Sequence, residues 1–408
     1  MARGRRAPVR PGRRHSRISV EGWRRRSRPL FVHGDERTGA PFEEVVPVTV
    51  FSNAAHDGHE QVVFCRDEAS GLRAIIAIHS TALGPALGGC RMWPYASEEE
   101  ALFDVLRLSR GMTYKNAAMG LNFGGGKSVI IADPRRDKSE ELFRAFGRFV
   151  QSLGGRYYTA EDVGIHSDDL IYVRQETDYV LGLPEKSGDP SPATAYGVYC
   201  GIRACLEEVY GSDDPAGRTV AIQGAGQVGY HLAKLLAEAG ARVVIADIFE
   251  DKVRRAVEDL GVESVPAESV YDVECDVFAP CALGAVINDE TLPRLKCRII
   301  AGSANNQLAE PRHGDRLEEM GILYAPDYVI NGGGVINVAS EFNPGGYRRD
   351  DAYRKIAGIG GKLKELFAIA RREGIPTYRA ADVLAEERIR RIRELDRIFV
   401  PARGGARG

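Results

Sequence analysis

The sequence predicts an α/β protein with two domains, and three observations support this prediction. The chain has 408 residues, too many for one ordinary hydrophobic core, which suggests domains of about 150 to 200 residues. In its second half, short β-rich runs alternate with amphipathic helical runs, which is the pattern of a doubly wound parallel sheet. A stretch rich in Gly, Pro and Ser, "EKSGDPSPATAYG" at residues 185–197, separates this half from the first.

Composition limits the classes of function. The hydrophobic fraction of 44% and the charged fraction of 27% are typical of a soluble globular protein, and no apolar run is long enough to span a bilayer. The seven cysteines are scattered without a CxxC pair, which favours reduced thiols over a zinc cluster or a disulfide framework. We therefore expect a cytoplasmic protein without a metal site and without a membrane partner.

Residues 1–45 are predicted to be a disordered basic tail. Eleven arginines and one acidic residue, Glu21, lie within residues 1–28. Such a segment is also typical of a nucleic-acid-binding arm or of an organellar transit peptide. Because the rest of the chain is net acidic, we expect no nucleic-acid partner.

The first domain is predicted over residues 46–190 and begins with a β-hairpin. The runs "QVVFCRD" and "LRAIIAIHS" flank a turn at Ser70-Gly71. Ser97 then caps an amphipathic helix. The run "NFGGGK" breaks this helix as a loop, "SVIIAD" is a short buried strand, "SEELFRAFGRFVQSLGG" is a second helix, and "RYYTAED" is a strand that ends at Asp162.

Lys115, near the end of the first helix, and Lys127, after the glycine run, lie among small or apolar residues. Burying an ammonium group is costly unless it is paired or loses its proton, so two converging lysines should lower the pKa of at least one. One lysine could then bind a carboxylate while the other acts as a base near neutral pH. Asp162 is a third candidate, because functional groups concentrate at strand ends. Alternatively, the lysines are exposed and Asp162 caps a helix.

The second domain, predicted over residues 191–335, opens with a dinucleotide-binding fingerprint. In "TVAIQGAGQVG" the glycines follow a β-rich run and open a helix, and the next strand ends at Asp247. The glycines allow a tight turn and close approach of a pyrophosphate, while Asp247 would accept from the ribose hydroxyls and repel a 2′-phosphate. The pattern predicts a Rossmann domain that binds NAD rather than NADP; a glycine turn of any α/β protein is the alternative. The predicted cofactor-binding residues of the turn are Gly224, Ala225, Gly226, Gln227, Val228 and Gly229.

Two helical stretches follow the sheet, at about residues 350–372 and 379–396. Residues 336–396 are predicted to pack back on the first domain.

Seven stretches between residues 48 and 395 carry further motifs: "STALGPALGGCRMWPYASEEEA", "GMTYKNAAMGLNFGGGKSVIIADP", "GRYYTAEDVG", "SGDPSPATAYGVY", "DVFAPCALGAVIND", "IIAGSANNQLAEPRHGD" and "LYAPDYVINGGGVINVA". In this order they resemble the motifs of the leucine/valine/phenylalanine dehydrogenase family, relatives of the glutamate dehydrogenases, and are closest to the branched-chain members. The resemblance implies reversible oxidative deamination of an L-amino acid to a 2-oxo acid and ammonia, with NAD accepting the hydride, in a homo-oligomer.

The resemblance also implies roles for individual residues. Lys115 would bind the substrate carboxylate, helped by the loop at Gly88 and Gly89. Lys127 would be the general base that activates water, and Asp162 would manage protons at the amino nitrogen. The residues implied at the nicotinamide side are Thr194, Ala279 and Asn305.

Substrate selectivity is inferred from four positions. Leu87 and Val338 correspond to positions that hold the distal carboxylate in glutamate dehydrogenases, and they offer no partner for a charge, so glutamate should be rejected. Ala160 and Val335 narrow the pocket as in branched-chain enzymes. We therefore expect leucine, valine or isoleucine as substrate. The alternative is a phenylalanine dehydrogenase, and a more distant one is a non-catalytic NAD-sensing or nucleic-acid-binding protein, in which the apolar positions are ordinary core.

Overall fold

The computed structural model describes residues 50–51 and 53–397, so the predicted basic tail at residues 1–45 lies outside the described part of the chain. The described residues contain two six-stranded sheets, each flanked by helices. Among these residues, we find no helix of sufficient length and apolar character to cross a membrane.

The first sheet begins with the predicted hairpin, whose strands pair antiparallel from Gln61 and Ile78 to Asp67 and Leu72. The order of its strands is β1-β2-β5-β3-β6, and β4 pairs with β5. The strands are β1 (Gln61–Asp67), β2 (Leu72–Ser80), β3 (Ala86–Leu87), β4 (Cys90–Trp93), β5 (Gly124–Ile131) and β6 (Tyr157–Tyr158).

Three helices accompany this sheet: α1 (Glu98–Ala118), α2 (Glu140–Ser152) and α3 (Ser167–Arg174). The predicted N-cap of α1 is confirmed, since the side chain of Ser97 accepts from the backbone N–H of Glu100. α1 packs its buried apolar face on β2 and β5, which places the end of the helix over the middle of the sheet.

The glycine run before Lys127 belongs to β5, so the prediction of a loop at this position is wrong. A β-carbon at Gly125 would lie 2.0 Å from Oγ1 of Thr113 on α1. The strand therefore needs glycine because α1 passes so close to it. This close approach brings the end of α1 near to Lys127.

β6 is also shorter than predicted, because only Tyr157 and Tyr158 pair in a ladder. Asp162 lies beyond the strand, in a turn where it forms an isolated bridge with Ile165. The chain leaves the sheet here, and Gly164 has a φ of 81°.

The second sheet is parallel throughout, in the order β12-β11-β10-β7-β8-β9, which confirms the predicted doubly wound arrangement. Its strands are β7 (Thr219–Gln223), β8 (Arg242–Ala246), β9 (Glu263–Ser264), β10 (Val277–Pro280), β11 (Ile299–Ile300) and β12 (Leu323–Tyr324). Three helices connect these strands: α5 (Gln227–Glu238), α6 (Glu250–Leu260) and α7 (Pro311–Glu319).

Six further helices surround the junction of the two halves. They are α4 (Ser191–Tyr210), α8 (Asp327–Ile330), α9 (Gly333–Ala339), α10 (Arg349–Ala357), α11 (Ile359–Glu373) and α12 (Thr377–Arg393). The predicted boundary loop is shortened because α4 already begins at Ser191, and the predicted division at residue 335 falls inside α9. The stretch predicted as one helix over 350–372 is divided at Gly358 into α10 and α11.

α12 packs on α1 as well as on α11. The hydroxyl of Tyr114 donates to Glu386 at 3.0 Å, and the guanidinium of Arg388 donates to the carbonyl oxygen of Gly120 at 3.0 Å. The last described helix therefore connects the second half of the chain with the first.

Candidate active site

A cavity of about 640 Å³ lies between the two halves and is bounded by residues of both. Thirteen of the residues selected from the sequence line this cavity: Leu87, Gly88, Gly89, Lys115, Lys127, Ala160, Asp162, Thr194, Gln227, Val228, Asn305, Val335 and Val338. Both lysines therefore face one cavity, although they lie on different elements, α1 and β5.

Lys127 and Asp162 form an ion pair at the floor of this cavity. Nζ of Lys127 lies 2.9 Å from Oδ1 of Asp162, and the lysine is 5% exposed. Nε of Arg91 donates to the other oxygen, Oδ2, at 2.9 Å. Burial alone would raise the pKa of Asp162, but the charges of Lys127 and Arg91 outweigh burial and lower this pKa to about 2. Asp162 is therefore ionised throughout the neutral range.

The ammonium group of Lys115 loses its proton more easily than that of an ordinary lysine. Burial lowers the pKa of Lys115 to about 8, the nearby Asp327 partly restores it, and repulsion by Lys127 lowers it further. The expected lowering of at least one lysine pKa thus falls on Lys115, for which the resemblance implies carboxylate binding. A bound carboxylate would stabilise the ammonium form and raise this pKa again.

Arg91 and Asp104 were not found by sequence reasoning. Arg91 lies on β4, two residues after Gly89, and its Nη1 donates to Oδ2 of Asp104 on α1 at 2.9 Å. A recognisable signal existed, because an arginine on a buried strand needs a carboxylate partner, and Asp162 was the strand-end carboxylate already singled out. Asp327 and Asn331 were missed as well.

An apolar pocket adjoins the charged groups. Leu87 is 1% exposed, Val338 is 6% exposed and Ala160 is 7% exposed, and Val335 packs against them. The remaining side chains of this cluster are Phe123, Leu181, Ala339, Leu121 and Tyr158. An ionised side chain that entered this cluster would lose its hydration without gaining a partner, whereas an aliphatic side chain would be stabilised by burial.

The fingerprint turn has the space and the donors that a dinucleotide requires. A β-carbon at Gly229 would lie 2.0 Å from the carbonyl oxygen of Gly224, so that only glycine lets α5 pack this closely. At Gly226 a β-carbon would meet no atom within 4 Å, which leaves open space at the start of α5. Asp247 accepts from the backbone N–H of Ala225 at 2.7 Å, which fixes its carboxylate beside the turn. These residues fit a dinucleotide with its pyrophosphate at the helix start.

The three residues implied at the nicotinamide side are not equivalent. Thr194 and Asn305 line the cavity, whereas Ala279 is fully buried in the core of the second half and does not line it. Nδ2 of Asn331 donates to Asn305 at 2.7 Å, and Oδ1 of Asn331 has no hydrogen-bond partner among the described residues. Asn331 lines the cavity, but this oxygen is itself buried.

A dinucleotide turn, a partly buried amine with a lowered pKa and an ionised carboxylate lie around one cavity, and this set of groups is typical of an oxidoreductase that uses a dinucleotide cofactor. Comparison with known proteins agrees with this class. The model of the Glu/Leu/Phe/Val dehydrogenase dimerisation domain matches residues 59–179, and the model of the Glutamate/Leucine/Phenylalanine/Valine dehydrogenase matches residues 187–249 and 246–348. The chain belongs to this family, which confirms the resemblance seen in the sequence. It is an amino acid dehydrogenase and uses a nicotinamide cofactor.

Three relatives illustrate the similarity. The leucine dehydrogenase of Geobacillus stearothermophilus is 62% identical over 339 residues, which cover 82% of this chain and 92% of the relative. The phenylalanine dehydrogenase of Bacillus thermotolerans is 52% identical over 340 residues, which cover 81% and 88%. The crystal structure of L-tryptophan dehydrogenase from Nostoc punctiforme matches with a TM-score of 0.72 at 45% identity and covers 82% of this chain and 97% of that chain.

Proposed function

We propose that this chain catalyses the reversible NAD-dependent oxidative deamination of a branched-chain L-amino acid to the 2-oxo acid and ammonia. The observation that carries the proposal is the position of the apolar pocket of Leu87, Ala160 and Val338 beside Lys115 and the Lys127–Asp162 pair, in one cavity. The higher identity to a leucine dehydrogenase than to a phenylalanine dehydrogenase, 62% against 52%, supports an aliphatic substrate.

Lys115 binds the substrate carboxylate in this proposal. Its ammonium lies near the end of α1 and faces the cavity beside the backbone of Gly88 and Gly89. Because burial makes the free ammonium costly, a carboxylate that pairs with it gains a strong partner. The substrate side chain then extends into the apolar pocket, and the Cα hydrogen faces the nicotinamide side near Thr194 and Asn305.

Lys127 and Asp162 move the protons. When NAD is bound, it supplies the hydride acceptor for the Cα hydrogen. Lys127 takes the proton of the water that attacks the resulting iminium carbon, and Asp162 exchanges a proton at the amino nitrogen as ammonia leaves. The distance of 2.9 Å between Nζ and Oδ1 supports direct proton exchange between the two groups.

NAD rather than NADP is the proposed cofactor because of Asp247. Both of its oxygens accept backbone N–H groups, of Ala225 at 2.7 Å and of Phe249 at 3.0 Å, so the carboxylate is held beside the turn. Free lone pairs of the same oxygens can accept the ribose hydroxyls, whereas a 2′-phosphate would be repelled.

We also propose a homo-oligomer in the cytoplasm. The matched description of residues 59–179 as a dimerisation domain supports self-association, and β1, at the edge of the first sheet, exposes Phe64 to 54%. The seven cysteines are all unpaired, which supports a reducing compartment.

The proposal is tested by NAD reduction with a panel of L-amino acids. We expect leucine, valine and isoleucine to give higher kcat/KM values than phenylalanine, and glutamate to give no measurable rate. A clear preference for phenylalanine would assign the pocket to aromatic substrates instead. Equal rates with NADP in place of NAD would contradict the role given to Asp247.

A further inference from the structure

Arg91 joins two carboxylates that lie on different elements. Its Nε donates to Oδ2 of Asp162 at 2.9 Å, and its Nη1 donates to Oδ2 of Asp104 at 2.9 Å. Its side chain is 20% exposed, so the charge is held away from most of the solvent. The guanidinium group makes the two contacts from two nitrogens held in one plane, whereas the three donors of a lysine ammonium all lie on a single nitrogen.

Asp104 is itself held in place. The hydroxyl of Tyr95 donates to its Oδ2 at 2.7 Å, and Arg107 donates to its Oδ1 at 2.9 Å. The side chain of Asp104 is 14% exposed. Arg91 is therefore held on the side away from Asp162 by a carboxylate that is mostly buried and has two further hydrogen-bond donors.

The two oxygens of Asp162 are thus assigned to different partners. Oδ2 faces Arg91, and Oδ1 faces Lys127 at 2.9 Å. Arg91 does not line the cavity, whereas Lys127 and Asp162 do. A proton that reaches Asp162 from the cavity therefore meets Oδ1, while Oδ2 stays bound to a cation that keeps its proton at any accessible pH.

We propose that Arg91 is a positioning residue that directs the proton exchange of Asp162 to Oδ1, and that Asp104 supports it in this task. The inference rests on the proposed function, in which Asp162 exchanges protons with Lys127 and with the substrate nitrogen. Arg91 itself touches neither the substrate nor the cofactor.

Other groups around Asp162 bear on a pH test of this role. Five titratable side chains besides its two partners interact with it electrostatically: Lys115, Cys90, Tyr95, Tyr157 and Glu161. Burial keeps the cysteine and the two tyrosines neutral near pH 7, since it raises the pKa of each. Burial also raises the pKa of Glu161 to about 7, so this group titrates in the range of interest.

The test compares Arg91→Met with Arg91→Lys in pH profiles of kcat/KM for leucine. Removing the cation should raise the pKa of Asp162, so the acidic limb of the Arg91→Met profile should move to higher pH by about one unit or more. Arg91→Lys keeps the charge but loses the two donor nitrogens in one plane, so its limb should stay in place while kcat falls by about 10- to 100-fold. KM for NAD should not change in either variant.

Two controls keep the result specific. Arg73→Met removes another arginine–carboxylate pair of the same domain, that of Arg73 with the exposed Glu98 at 2.8 Å, and should leave the profile unchanged. Repeating the profiles in a Glu161→Gln background separates the titration of Glu161 from that of Asp162. Should Arg91→Met fail to fold, Asp104→Asn tests whether the position of Arg91 matters, because it weakens the contact that holds the guanidinium group. An unchanged kcat in that variant would overturn the proposal.

A readout without turnover separates this inference from the proposed function. The carboxyl carbon of Asp162, followed against pH by 13C NMR, reports when this group loses its proton. In Arg91→Met its titration midpoint should move to higher pH, whether or not the protein deaminates leucine. An active wild-type enzyme whose acidic limb and Asp162 midpoint both stay in place in Arg91→Met would refute the role of Arg91. A shifted midpoint in a protein that oxidises no amino acid would refute the proposed function alone.

Discussion

Replacing Lys115 by methionine should stabilise the protein while it destroys substrate binding. The pKa of Lys115 is lowered from 10.5 to about 8 by burial in the folded chain. At pH 7 the ammonium is charged in both the folded and the unfolded states, and the lowered pKa means that charging it costs about 3 kcal/mol more in the folded state. Methionine fills a similar space without a charge.

The interaction of Lys115 with Asp327 offsets part of this gain in the free energy of unfolding. Asp327 lies near Lys115 and raises its pKa, so the variant deprives this buried carboxylate of a nearby cation. We therefore expect a net gain of about 1 to 3 kcal/mol in the free energy of unfolding at pH 7. The gain should shrink as the pH rises from about 8 towards 10.5, because the folded wild-type lysine then loses its proton while the unfolded one keeps it.

Thermal unfolding at pH 7 and at pH 9.5 measures this effect, and it should appear as a rise in Tm of a few degrees for Lys115→Met at the lower pH. Lys362→Met is the matched control, since Lys362 is an exposed lysine paired with Glu365, and its Tm should stay close to that of the wild type. If Lys115→Met unfolds at or below the wild-type Tm at pH 7, burial of the Lys115 ammonium does not destabilise the folded protein. Retained leucine turnover in the same variant would remove Lys115 from the carboxylate site.

Three further predictions concern the same cavity. Lys127→Ala should lower kcat by about 10²- to 10⁴-fold, the range of general acid–base catalysis, while NAD binding measured by fluorescence titration stays intact; near-normal turnover would exclude it as the base. Asp247→Asn should improve kcat/KM with NADP by about tenfold or more relative to NAD, because the repulsion of the 2′-phosphate is removed, and an unchanged cofactor ratio would contradict this. Binding of 4-methylpentanoate, a carboxylate without an amine, should weaken about tenfold per pH unit above pH 8, where the free Lys115 loses its proton, and Lys115→Met should abolish this slope in a calorimetric titration.

Much of the fold could be predicted because its signals are local. The hairpin of β1 and β2, the cap at Ser97 and the alternation of strands and helices from Thr219 onwards depend on short-range pattern, and the structure has them where they were expected. The dinucleotide-binding turn could be predicted for the same reason, since the strand, turn and helix around Gly224 are contiguous in sequence.

What could not be predicted depends on contacts between distant residues. The glycine run of β5 has the composition of a loop, but its pairing with β2 and β3 makes it a strand, and the approach of α1 to Gly125 explains why glycine is needed there. Arg91 meets Asp162 and Asp104, which are 71 and 13 residues away in sequence, and no local pattern marks these pairs. The lowered pKa of Lys115 likewise arises mainly from burial in the folded chain, and the sequence around Lys115 does not show how deeply the side chain is buried.

The attachment of α12 to α1 gives the molecule a second connection between its halves, made by packing and hydrogen bonds. The chain leaves the first sheet through the segment before α4 and returns through the segment before α12, where Tyr114 and Glu386 join the helices. Because the halves are connected at two separate places, a rotation of one half against the other is restricted to the line through these two connections. A single distance, for example between spin labels on β1 and α6, would report such a rotation.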